Sequence, residues 1–145
     1  MTDPPDISPR DRLVVATGHA VSAVFLALGI LGSLRTHLDH VAQLAMFTVS
    51  PGIAVAWLVI GVVGVSMVVK PRPARIYLLA TGGILLLWGV LGLLLDGAGA
   101  EFFVRDIPLV TLHLVAGAVS VAACLVPGAA PMPQNPSGSS PERTP

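Results

Sequence analysis

The chain has 145 residues, of which 54% are hydrophobic and 11% charged, with a net charge of zero and a mean hydropathy of +0.83. A soluble domain carries about 25% charged residues, so this chain lacks the polar coat of a water-facing surface. Zero net charge also gives no electrostatic reason to expect nucleic acid as a partner.

In chain order, residues 1–12 are polar, contain three prolines and read as a disordered tail. Residues 13–34 form the first of four long apolar stretches without a charged side chain; the others are 52–69, 76–95 and 107–126. A helix of about 20 residues crosses a hydrocarbon core of roughly 30 Å, so each stretch reads as a transmembrane helix. The first stretch is longer than the apolar region of a signal peptide, about 7–15 residues, and ends in Leu34-Arg35-Thr36-His37 without a small-residue cleavage site. It reads as a retained helix.

The connection 35–51 begins polar and becomes moderately apolar. Val41, Leu44, Ala45 and Thr48 would share one face of a helix, which suggests an amphipathic segment on the membrane surface. Residues 70–75 read as a tight cationic turn broken by Pro71 and Pro73. Residues 96–106 form a third loop in which Phe102 and Phe103 are placed at the interface. The tail 127–145 is rich in Pro, Gly and Ser and reads as disordered; its Pro133/Pro136 spacing arises easily in such a composition.

Basic residues set the orientation. Arg10, Arg12, Lys70, Arg72, Arg75 and Arg143 share one side of a four-span topology, against Arg35 and Arg105 on the other. Both termini are therefore expected in the cytoplasm, and the plasma membrane of a bacterium is the expected location.

The four stretches form two related pairs. At an offset of 56, Phe47, Ser50, Leu58, Val59, Gly61 and Val63 match Phe103, Asp106, Leu114, Val115, Gly117 and Val119, and Gly64 matches Ser120. At an offset of 60, Gly29 and Gly32 match Gly89 and Gly92. Ser50 and Asp106 stand where a side-chain oxygen can cap a helix. The expected fold is an all-α, four-transmembrane-helix bundle from two parallel two-helix repeats. Helices in lipid associate through close approach at small residues, so Gly29, Gly32, Gly61, Gly64, Gly89, Gly92, Gly117 and Ser120 are expected to mark the inward faces.

His19 and His113 are the ionisable side chains within the spans, and such residues are functional candidates. His113 departs from the repeat because Trp57 occupies the matching position. Each histidine lies about six residues, or some 9 Å, from opposite ends of the bundle. In a core of roughly 30 Å they are about 12 Å apart in depth, which argues against two axial ligands of one haem. His37 and His40 sit one helical turn apart beside Asp39 and are weak metal candidates, because zinc takes three or four ligands and no third histidine is evident. Cys124, the single cysteine, cannot form an internal disulfide and reads as an inert buried thiol. No catalytic residues and no cofactor are expected.

Four spans, the glycine-paired first and third helices and the His113-Leu114-Val115 segment resemble the actinobacterial membrane proteins grouped as domain of unknown function 4383. Asp106 followed by Leu112-His113-Leu114 is similar to that family's acidic or amide residue and Leu-His-Leu near the start of the fourth helix. Trp57 departs from the histidine that members often carry in the second helix. The resemblance covers about residues 13–126, and implies the topology without an activity. The expected function is a non-enzymatic accessory or scaffolding component of a membrane complex, its partners other membrane subunits or a second copy. The alternative is a small oligomeric channel or transporter for a neutral or apolar solute, with His113 lining the path.

Overall fold

The computed structural model describes residues 8–36, 42–44, 46–94 and 106–126. Its order is α1 (Pro9–Thr36), β1 (Ala42–Leu44), β2 (Phe47–Val49), α2 (Pro51–Met67), α3 (Pro71–Leu94) and α4 (Ile107–Leu125). The four helices make a bundle. Residues 1–7, 37–41, the third loop with Phe102 and Phe103, and the C-terminal tail with Pro133 and Pro136 lie outside the described residues.

Helix starts follow from local chemistry. α1 begins at Pro9, ahead of the apolar stretch at Leu13 and inside the segment read as a disordered tail. The Ser8 hydroxyl accepts from the Asp11 amide at 3.2 Å and donates to the Asp11 carboxylate at 2.9 Å. That reciprocal cap, with proline pre-set at the first position, starts the helix among polar residues. α2 begins after Ser50, whose side chain accepts from the Ile53 amide at 3.4 Å.

α3 begins at Pro71, so most of the segment read as a cationic turn is helical. Both prolines fall in the first turn, where the missing N–H groups would have had no partner. Lys70 accepts the first helical hydrogen bond, from the Ala74 amide at 3.0 Å.

The segment between α1 and α2 differs from the expected amphipathic helix. β1 and β2 form an antiparallel hairpin with Ala42 opposite Val49 and Leu44 opposite Phe47. Of the four residues expected on one helical face, Leu44 and Thr48 are in strands and Val41 and Ala45 lie outside the described residues. Phe47, Thr48 and Val49 are strand formers. The Asp106 carboxylate, next to α4, accepts from the Thr48 amide and so holds β2 in place.

α1 packs closely on α2, and α3 on α4; α1 also touches α3 and α4, while α2 meets α3 only sparsely. The close pairs are built on the expected glycines. A β-carbon on Gly61 would come within 2.5 Å of the Leu26 backbone, and one on Gly29 within 2.6 Å of the Leu58 Cα. Between α3 and α4, a β-carbon on Gly89 would lie 2.7 Å from Leu114, and one on Gly117 2.9 Å from the Leu86 amide.

The same positions are buried in both pairs. In α1 they are Val14, Gly18, Val21, Ser22, Phe25, Gly29 and Gly32; each has a buried residue in α3 at the offset of 60, from Ala74 to Gly92. In α2 they are Ile53, Ala54, Trp57, Gly61 and Gly64; Leu109, Val110, His113, Gly117 and Ser120 of α4 follow at the offset of 56.

The outer faces are aliphatic, with Val55, Val62, Leu87, Leu93 and Val115 all more than half exposed. A water-facing bundle would place polar residues there. α1, α3 and α4 are long and apolar enough to cross a membrane; α2 is apolar but has 17 residues, bounded by the Ser50 cap and the turn at Val68–Lys70.

Candidate functional site

The largest concentration of buried aromatic and polar side chains lies where α2 and α4 begin. Ser50 fixes the entry of α2, which puts Trp57 two turns into the bundle. Asp106 occupies the matching place before α4, yet its side chain makes no cap: it reaches β2 instead. The backbone of Asp106 still opens α4, accepting from the Val110 amide at 2.9 Å, and His113 follows two turns in.

Trp57 Nε1–H donates to His113 Nε2 at 3.2 Å. Trp57 is 1% exposed and His113 4%. The imidazole also hydrogen-bonds the backbone of Leu109, one turn earlier. Both ring nitrogens are thus engaged: Nε2 as acceptor and Nδ1 as donor, which describes a neutral imidazole. Phe25 and Phe47 meet the indole edge-on, with centroids 6.4 and 6.5 Å away. Trp57 therefore ties α1, β2 and α4 together.

A cavity of about 100 Å³ opens beside this pair. Ala56, Trp57 and Ile60 of α2, Leu85 and Trp88 of α3, and His113 line it. Its walls are hydrocarbon and aromatic rings, and the one polar side chain among them is already paired. A second polar cluster lies deeper, where the Tyr77 hydroxyl donates to the Ile60 carbonyl at 3.2 Å and packs with Ser22 on the bare face of Gly64.

His19 does not join His113. It is exposed on the outer face of α1, and its Nδ1 donates to the Val15 carbonyl at 2.8 Å, one turn earlier. Both histidines thus satisfy the backbone of their own helix, and His113 alone reaches another helix. His37 and His40 lie outside the described residues, and among the described residues no three His, Cys, Asp or Glu side chains gather as a metal site. The Cys124 thiol is buried and faces the Arg75 carbonyl at 3.7 Å. Arg10 reaches across from α1 to the Cys124 carbonyl at 3.2 Å, a cation at the C-terminal end of α4.

Sequence reasoning singled out His113 but missed its partner. The offset of 56 aligns Trp57 with His113; sequence alone does not show that the two side chains meet. Trp88 carried no such signal.

No curated protein and no solved structure matches the chain. The family model described as domain of unknown function (DUF4383) matches residues 16–126, from the first turns of α1 to the end of α4, and the chain belongs to that family.

Proposed function

We propose that the protein is a multi-pass plasma-membrane protein with four spanning helices and both termini in the cytoplasm, acting without catalysis as an accessory or scaffolding subunit of a larger membrane complex. The observation that carries this reading is the internal engagement of the buried polar groups. Ser22 and Ser120 donate to carbonyls of their own helices at 2.6 and 2.7 Å, His113 is held by Trp57, and Asp106 by the Thr48 amide. Within one chain these groups brace the bundle, and among the described residues they leave no polar row along its axis for a solute. The aliphatic outer faces are the surface left for partners.

Two parallel hairpin repeats, descended from one, support the bracing role. The glycine contacts and the buried positions recur at constant offsets in both pairs. Where Ser22 packs at Gly64 in the first pair, Ser120 packs at Gly82 in the second, so the larger residue has changed helices while the fit is kept.

Photo-crosslinking residues at Val62 and Val115, both on outer faces, test the reading in intact cells. One protein adduct of constant mass is expected. Lipid adducts alone at both positions would overturn it.

A further inference from the structure

The sparse contact between α2 and α3 leaves a crevice that runs most of the length of α2. One part is a groove of about 330 Å³ whose walls include Val63 and Met67 on α2 and Ile76 and Ala80 on α3. The other part is the cavity beside Trp57 and Trp88. Ile60 and Ile84 line both, so the two adjoin.

A transmembrane helix is a poor occupant. Helices in lipid dock through small residues that let backbones approach, and the groove is walled mainly by branched and long side chains. A flexible chain of methylene groups suits walls of this kind. From Met67 to Trp57 is ten residues, about 15 Å along the helix, which equals about half the hydrocarbon thickness and hence the reach of one acyl chain.

Just beyond Met67, which lines the groove, comes the turn joining α2 to α3, and it holds Lys70. Lys70 is exposed, and no acidic residue occurs anywhere in α2, the turn or α3. Arg72, also exposed, follows two residues later and shares a shallow pocket with Asp11 and Arg75. Basic residues beside a helix crevice at the membrane surface attract anionic headgroups.

Two of the corresponding positions on α1 and α4 carry larger side chains than those that line the cavity. Leu112 stands at the offset of 56 from Ala56, and Phe25 at the offset of 60 from Leu85. Phe25 is in the core, and Leu112, partly buried, packs against it. Smaller residues at Ala56 and Leu85 leave the space open.

We propose that the α2–α3 crevice is a binding site for one anionic phospholipid, its headgroup at Lys70 and one acyl chain lying along the groove with its end beside Trp57 and Trp88. These are the two tryptophans of the chain, so a bromine on the lipid chain reports occupancy directly.

The test is tryptophan fluorescence of the full-length protein in phosphatidylcholine vesicles, titrated with phosphatidylglycerol or phosphatidylcholine brominated near the chain end. Phosphatidylglycerol should quench at about fivefold lower mole fraction than phosphatidylcholine, the factor matching about 1 kcal/mol for one basic residue at the surface. Lys70→Gln should bring the two curves together. Ala56→Leu should weaken quenching by both lipids, and Leu85→Phe should do the same by filling the cavity from the other wall. Equal quenching by the two lipids in the wild type would overturn the proposal, as would quenching that Ala56→Leu and Leu85→Phe both leave unchanged in folded protein.

Discussion

Trp57 and His113 occupy corresponding positions in the two helix pairs, and they hydrogen-bond each other at 3.2 Å. A residue that touches its own counterpart lies beside the axis relating the two units. The proposed duplication therefore gives the pair a role that neither residue has alone: it joins the two halves near the hairpin end, as Tyr77 on the bare face of Gly64 does farther along α2.

A double-mutant cycle measures that link. His113→Leu leaves the indole N–H buried without an acceptor, which costs about 1–3 kcal/mol. Trp57→Phe removes the donor and part of the aromatic packing. The double variant should be more stable than the two single losses predict, by about 1 kcal/mol or more, because no orphaned group remains. Strict additivity in chemical unfolding of the detergent-solubilised protein would show that the hydrogen bond contributes nothing.

Glycine substitutions separate packing from helix propensity. Gly61→Ala drives a β-carbon into the Leu26 backbone, which cannot move aside as a side chain can. A loss of about 1–3 kcal/mol is expected. Gly83→Ala meets nothing within 4 Å and should be neutral or slightly stabilising. Thermal unfolding of the two variants beside the wild type checks the contrast; equal effects would mean that the reciprocal glycine contacts do not hold α1 to α2.

Arg10 links the start of α1 to the end of α4 through the Cys124 carbonyl. Arg10→Gln removes a cation from a helix C-terminus in a partly buried setting, a loss of about 0.3–2 kcal/mol. Amide hydrogen exchange should rise in the last turn of α4 and stay unchanged in α2. Uniform or absent change would remove Arg10 from its capping role.

Orientation is tested with cysteine labelling on a Cys124→Ala background. Met46, two-thirds exposed in the β-hairpin, and Lys70, in the turn at the opposite end, are the reporters. In intact cells a membrane-impermeant maleimide should label Met46→Cys and spare Lys70→Cys until the membrane is opened. The reverse pattern would invert the topology.

Much of the bundle was legible because its signals are local. Four apolar runs without charge mark helices, and small residues at matching offsets mark the faces that meet. The β-hairpin was not legible, since what holds β2 is Asp106, 58 residues from Thr48. Asp106 reads as a helix cap for the same reason: its type and place suit a helix start, while the competing partner, Thr48, is remote in sequence. Pro71 and Pro73 suggested a turn because proline ends helices more visibly than it begins them. His19 and His113 looked equivalent by composition; which of them faces inward depends on the rotation of each helix, and a helix apolar all round conceals that rotation.

The mass of the native assembly tests the central proposal most directly. The protein, extracted from its own membrane in a mild detergent, is weighed intact by native mass spectrometry. The account predicts this chain bound to a second, different membrane protein at fixed stoichiometry. A homogeneous species containing this chain alone, as a monomer or as a ring of copies, would contradict the accessory role.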